Sequence, residues 1–260
     1  MLQAPAWGEA GHLPLSVTII ARDEADRIGD AIRSVAFADE VLVLDSGSSD
    51  DTVAVARALG ARVEETDWPG HVAQKNRAIA RASHDWILSI DADERVGPEL
   101  AAAVRAVLAA GPGAAGYRVS RLSTYLGAEL RHGTWYPDRR VRLFDRRRAR
   151  WGGRDPHDVV EVDGPVAQLG GDLLHTPYRD LGEHLRTIDR YTATSAAGLR
   201  ADGVRARWWD LLLRPPLHFV KAYLLRAGFL DGSRGLLVAA LGAVYVLLKW
   251  TRVRLGEGGP

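Results

Sequence analysis

The sequence predicts an α/β protein, a mostly parallel sheet with helices on both faces, followed by a C-terminal helical appendage. Two observations over the first 121 residues carry this. Short apolar runs alternate with segments of helical spacing, and the runs are too continuously apolar to keep one wet face, as in parallel strands covered by helices. Carboxylates also recur just past the ends of those runs, the edge at which such sheets bind ligands.

Leu15–Ala21 is the first strand. Residues 24–35 follow as a helix, with Ile28, Ile32 and Val35 on one face. Glu40–Asp45 is a second strand, residues 50–59 a helix, 61–64 a third strand and 72–82 a helix. Trp86–Asp91 is the strand that matters most. It ends in Asp91-Ala92-Asp93-Glu94, and alternate residues of an extended chain project to one side, so Asp91 and Asp93 converge. Like charges that close repel unless a cation or proton lies between them. A hard divalent ion sharing a phosphorylated ligand would satisfy them, and a strand end leading into an acidic helix start is the plainer reading.

Residues 122–178 break into short strands and turns rich in Gly, Pro and Arg, and helix returns at 180–201. The domain plan is a lead-in at 1–14, one domain at 15–205 with halves 15–121 and 122–205, and a helical segment at 206–260. A chain of 260 residues with 47% hydrophobic content can bury such a core. The formal charge of +1, from 34 basic and 33 acidic residues, gives no global argument for nucleic acid. With no cysteine, a disulfide framework and a thiolate metal site are excluded. The N-terminus lacks the cationic start and apolar core of a secretory signal.

The first βα turn, Ala21-Arg22-Asp23-Glu24-Ala25-Asp26, has no glycine and three carboxylates. A dinucleotide fold needs glycine there so that backbone can reach pyrophosphate, which disfavours an oxidoreductase. The second turn, Asp45-Ser46-Gly47-Ser48-Ser49-Asp50-Asp51-Thr52, is equally acidic, with Ser48 or Ser49 a natural helix N-cap. Such turns would repel bare phosphate. They suit a ribose or base held through hydroxyls and amides, with a metal left to carry the diphosphate charge.

These stretches, with Gln74-Lys75-Asn76 and Ser89-Ile90-Asp91-Ala92-Asp93-Glu94, resemble family 2 glycosyltransferases of GT-A fold, in the family's order. Downstream, Val141-Arg142-Leu143-Phe144, Pro156-His157-Asp158 and His175-Thr176-Pro177-Tyr178 resemble the branch containing lipopolysaccharide-core β-glucosyltransferases. The resemblance implies a nucleotide-sugar-binding half at 15–121 and an acceptor-facing half at 122–205. It implies a uridine contact at Asp45, a base pocket at Ala21, Asp23 and Glu24, and nucleotide contacts at Lys75 and Asn76. For Asp23 and Glu24, complementing a helix N-terminus is the alternative; for Lys75 and Asn76, a solvated helix face.

Asp93 is the expected ligand for Mg2+ or Mn2+, with Asp91 supporting the metal or the donor ribose and His175 as the C-terminal ligand or a structural histidine. Family 2 enzymes generally invert, so a carboxylate should deprotonate the acceptor hydroxyl. Asp158 is the candidate, where related sequences often carry Glu. Glu161 is the reserve, and a local pair with Arg154 or His157 the competing role for Asp158. Arg142, with Arg139 and Arg140, is expected to grip the donor diphosphate or an acceptor phosphate. Arg146 to Arg148 read as a solvated face, and Trp135 and Tyr136 as sugar-stacking or ordinary aromatics.

Residues 236–250 form an apolar segment that reaches roughly 22 Å as a helix, short of the roughly 30 Å of a bilayer core. Upstream, residues 211–229 mix apolar residues with Arg214, His218, Lys221 and Arg226. Two helices lying on the cytoplasmic face of the membrane, basic residues against anionic lipid, are the expectation. A hairpin packed on the catalytic domain or pairing two subunits is the alternative.

The expected activity is therefore metal-dependent, inverting hexose transfer, glucose by resemblance, from a UDP-sugar to a cell-envelope glycolipid or oligosaccharide such as lipopolysaccharide core. The competing expectations are a polyprenyl-phosphate glycosyltransferase and a non-catalytic nucleotide-sugar-binding scaffold.

Overall fold

The computed structural model describes residues 12–154 and 157–256. Residues 1–11 of the lead-in, and Pro156 of the Pro156-His157-Asp158 motif, lie outside these. The chain forms two compact units, each assembled from separated stretches: Met1–Arg121 with Arg139–His175, and Leu122–Asp138 with Thr176–Pro260. The helix at 181–201 shares a unit with the C-terminal helices.

The first unit begins with the predicted alternation: β1 (Leu15–Ala21), α1 (Ile28–Ser34), β2 (Glu40–Asp45), α2 (Thr52–Ala58), β3 (Arg62–Glu65), α3 (His71–Arg81) and β4 (Trp86–Asp91). Then come β5 (Glu94–Val96), α4 (Pro98–Ala110), β6 (Gly116–Tyr125), β7 (Ala128–Leu130), β8 (Asp138–Asp145), β9 (Ala149–Arg154), β10 (His157–Val162) and β11 (Val166–His175), of which β7 and the end of β6 belong to the second unit. The sheet order is β3-β2-β1-β4-β8-β6-β11-β5, with β7 paired to β6. Pairing is parallel from β3 through β4, but β8 joins β4, and β5 joins β11, antiparallel. The sheet is thus mixed rather than mostly parallel.

Period-two alternation sends the central strands' side chains to two cores. Val17, Ile19, Val41 and Val43 pack with Ile28 and Ile32 of α1. Leu42 and Leu44, on the opposite face, pack with Ala78 of α3. Helices therefore cover both faces, as the apolar strands require. β9 and β10 form a separate antiparallel hairpin.

In the second unit, α5 (Leu181–Ala201) starts at Asp180, whose carboxylate accepts the Glu183 backbone N–H at 2.7 Å. It packs against α7 (Gly232–Leu255), which also packs against α6 (Trp208–Val220). Ser195 and Tyr245 share a hydroxyl hydrogen bond of 3.1 Å, Arg252 reaches Asp189 at 2.5 Å, and the Arg214 guanidinium lies 4.1 Å from the Trp250 ring centre. α7 has 24 residues, about 36 Å at 1.5 Å each, so the helix outruns the apolar tract from which its length was expected. Residues 228–255 are long and apolar enough to cross a membrane by length and composition alone.

Candidate active site

β-strand register sets the level of the acidic edge. Ala21 lies beside Asp45, and Ile20 beside Asp91, so three strands end together. Asp45 is buried, and its carboxylate accepts from the backbone of Gly47 (3.0 Å) and Ser48 (2.8 Å) and from the Ser48 hydroxyl. Gly47, at φ +80°, supplies the left-handed residue of this aspartate turn. Asp23 accepts from Ser49 N (2.7 Å) and Oγ (3.0 Å), which hold its carboxyl below the usual range. Glu24 grips Arg27 through both oxygens, at 2.6 and 2.7 Å. Its backbone N–H bonds Thr52 Oγ1 at 2.8 Å, so the first two βα turns are laced together. Ser48 and Ser49 do not cap α2, because Asp45 and Asp23 take their polar groups; Asp50 accepts the Thr52 N–H instead, at 3.0 Å.

Beyond this edge lies a chain of buried charge. Lys75, on the core-facing side of α3, places Nζ 2.9 Å from Asp91 Oδ1 and 2.8 Å from Asp158 Oδ2, and 4.3 Å from the centre of the Trp151 ring. Arg142 is 3.1 Å from Asp91 Oδ2 and 2.7 Å from Glu94. Glu94, fully buried in β5, also accepts the Asp91 N–H at 3.0 Å and faces Arg121 at 3.3 Å. Burial pushes the Asp91 carboxyl up, but Lys75 and Arg142 outweigh it and hold Asp91 far below the usual carboxylate range. The solvated-face alternative for Lys75 is therefore overturned: this lysine bridges two carboxylates inside the unit.

The cation that relieves the acidic repulsion at Asp91 belongs to the protein, and both Asp91 oxygens already face one. The other two expected ligands, Asp93 and His175, lie with Oδ2 and Nε2 3.4 Å apart. Burial raises the Asp93 carboxyl, but the neighbouring His175, with Arg27, lowers it, leaving a net fall. One carboxylate oxygen and one imidazole nitrogen suit a divalent ion whose other positions are filled by phosphate oxygens and water. No cluster of three His, Cys, Asp or Glu able to hold a metal occurs among the described residues.

The Asn76 amide donates to Trp151 O (2.8 Å) and accepts from Trp151 N (2.9 Å), pinning β9 to α3. Arg142 is spent mainly on Glu94 and Asp91. Glu161 pairs with Arg150 at 3.0 Å and is absent from the cavity below, whereas Asp158 lines it. The basic belt has separate tasks: Arg146 binds the carbonyls of Ile79 (3.1 Å) and Ala82 (2.5 Å) at the end of α3, and Arg147 pairs with Asp145 at 2.6 Å. Trp135 belongs to the second unit, clustered with Tyr125, Tyr178 and His184.

Asp91, Lys75 and Asp158 open onto a cavity of about 350 Å³ whose other walls are β6, β8 and the β9–β10 hairpin. Sequence reasoning missed Arg118, Arg121 and Trp151 in this wall. The available signal was two arginines inside the otherwise strand-like Tyr117-Arg118-Val119-Ser120-Arg121.

The family model for glycosyl transferase family 2 matches residues 16–160. The chain belongs to that family. This glycosyltransferase is 29% identical, over 93% of its length and 92% of the relative's, to the lipopolysaccharide core biosynthesis glycosyltransferase LpsC of Rhizobium meliloti (strain 1021). It is also 29% identical to an uncharacterized glycosyltransferase of Rickettsia typhi, over 92% of this chain and 86% of that one. Among solved structures, glucosyl-3-phosphoglycerate synthase from Mycobacterium tuberculosis, in complex with Mn2+, UDP and glucosyl-3-phosphoglycerate, matches at 30% identity and a TM-score of 0.37. That match covers 48% of this family 2 chain and 50% of the mycobacterial one.

Proposed function

We propose that this glycosyltransferase moves a hexose, with inversion, from a UDP-sugar to a hydroxyl of a cell-envelope glycolipid, with Asp158 as the base. One observation carries the reading: Lys75 ties Asp158 to Asp91 at the donor edge, and both face one cavity. Asp158 Oδ2 is held by Lys75, while Oδ1 has no hydrogen-bond partner among the described residues. Oδ1 takes the acceptor hydroxyl proton as the oxygen forms its bond to the anomeric carbon. The bond from that carbon to the diphosphate breaks, and its electron pair leaves with UDP. Asp45, Asp23 and Ala21 shape the nucleoside end. Asp93 and His175 would hold Mg2+ or Mn2+, which supplies charge compensation for the departing diphosphate.

The sequence similarity to LpsC supports lipopolysaccharide core as the acceptor class. The second unit supports attachment to the cytoplasmic face of the membrane. Trp208, Leu212, Leu213, Leu217 and Leu225, the last 77% exposed, make an apolar surface beside Arg214, Lys221 and Arg226.

The test is calorimetric titration of UDP-hexoses with and without Mn2+, paired with transfer assays. Asp93→Ala should lose metal-dependent donor binding. Asp158→Asn should bind donor normally and lose transfer by about 10²–10⁴-fold; normal transfer by that variant would sink the assignment of the base.

A further inference from the structure

We infer that the cavity beside Asp158 receives an acceptor that is itself anionic, a sugar carrying a phosphate ester or a carboxylate, gripped by Arg118 and Arg139. The inference rests on the transfer reading above and names the acceptor's chemistry.

Charge is the first argument. The cavity walls carry five arginines and one lysine against two aspartates, Asp91 and Asp158. Some of the cations are already matched inside the protein: Lys75 by Asp91 and Asp158, Arg142 by Asp91 and Glu94, and Arg121 by Glu94. Arg118 of β6 and Arg139 of β8 have no carboxylate partner among the described residues. Their strands are neighbours in the sheet, so positive charge gathers on one wall. Guanidinium groups so placed repel one another until an anion arrives, and their forked donors match the oxygens of phosphate or carboxylate.

Unused donors are the second argument. Trp151 Nε1 and Arg142 Nε are buried without a hydrogen-bond partner, and both residues line this cavity. Buried N–H groups left unmatched are rare and costly. A neutral sugar's hydroxyls could satisfy such donors but not the charge; an anionic sugar satisfies both.

Position separates this wall from the donor. The groups assigned to the nucleotide and metal, Asp45, Asp23, Asp93 and His175, do not line the cavity. Of the groups expected at the donor, Asp91, Lys75 and Arg142 do, and these three are already paired with carboxylates or cations of the protein.

The experiment titrates the full chain, saturated with UDP and Mn2+, with glucose 6-phosphate, glucuronate and glucose, and repeats this on an Arg118→Gln/Arg139→Gln double variant. At least one anionic sugar should bind at least tenfold more tightly than glucose. Its affinity should fall at least tenfold in the variant while UDP affinity stays within about threefold. Which anionic sugar binds distinguishes a phosphate ester from a carboxylate. Equal binding of glucose, unchanged anion affinity in the variant, or no anion binding would overturn the inference. So would an equal loss of UDP affinity, since the arginines would then serve the donor. Failure of the wild type to bind UDP while an anionic sugar still binds would defeat the transfer reading and leave the anion pocket standing.

Discussion

Lys75 shows how one residue's role depends on what surrounds it. A lysine on a helix of mixed composition reads equally well as a solvated charge, and nothing in Gln74-Lys75-Asn76 reveals the carboxylate of Asp158, distant in sequence. In the fold it is the cation between two carboxylates. Lys75→Met should destabilise the protein by about 3 kcal/mol, toward the lower end for a broken buried pair because Arg142 still faces Asp91. Urea denaturation measures this, and a change below about 0.5 kcal/mol, the scale of ordinary surface substitutions, would return Lys75 to the surface class. Asp91, Asp93 and His175 were legible as a group because strand ends concentrate ligands. Their partition was not: that Asp91 is neutralised by the protein's own cations depends on Arg142 arriving from an antiparallel strand.

Among the elements, β1, β2 and β4 were readable to the residue, since the unbroken apolar strands leave no other packing, whereas α1 begins at Ile28, four residues later than residues 24–35 suggested. The β6–β11 region was not, because short strands among Gly, Pro and Arg carry no strong period. The β9–β10 hairpin is the element that brings Asp158 to the site, and its anchor is the paired hydrogen bonding of Asn76 with Trp151. Asn76→Ala should cost about 1–3 kcal/mol and slow transfer while leaving UDP affinity intact; faster amide exchange at Trp151 would locate the loosening. Helix α5 carries a second test. His184 stacks on Tyr178 with centroids 4.2 Å apart and shares a 2.8 Å hydrogen bond with Tyr125. Burial pushes its pKa down to about 4. The unfolded chain therefore takes up this proton first, and stability present above about pH 6.5 is lost as pH falls toward 4. Replacing His184 with Gln should flatten the thermal-stability profile between those values.

For the whole molecule, the two units divide the labour that the sequence divides only in part. The first holds the assigned chemistry. The second exposes large apolar side chains along α6 and the turn after it, next to basic ones. Leu217→Glu with Leu225→Glu should abolish sedimentation with anionic vesicles and leave transfer to a soluble acceptor unchanged. Retained sedimentation would move the contact elsewhere. The apolar and basic character of residues 206–260 was plain in the sequence. Helix α5's membership of the same unit was not, because it depends on long-range packing against α7.

The strand order also sets a timetable for synthesis. β5 leaves the ribosome early but, among the described residues, pairs only with β11, whose last residue, His175, lies beside Glu94. Asp93 therefore waits, its partner untranslated, through the emergence of every intervening strand. On the proposed assignment, a nascent chain would have its nucleoside end complete while still lacking His175, so a polypeptide stalled before residue 175 should be able to fold its parallel strands while remaining unable to engage a metal-bound donor.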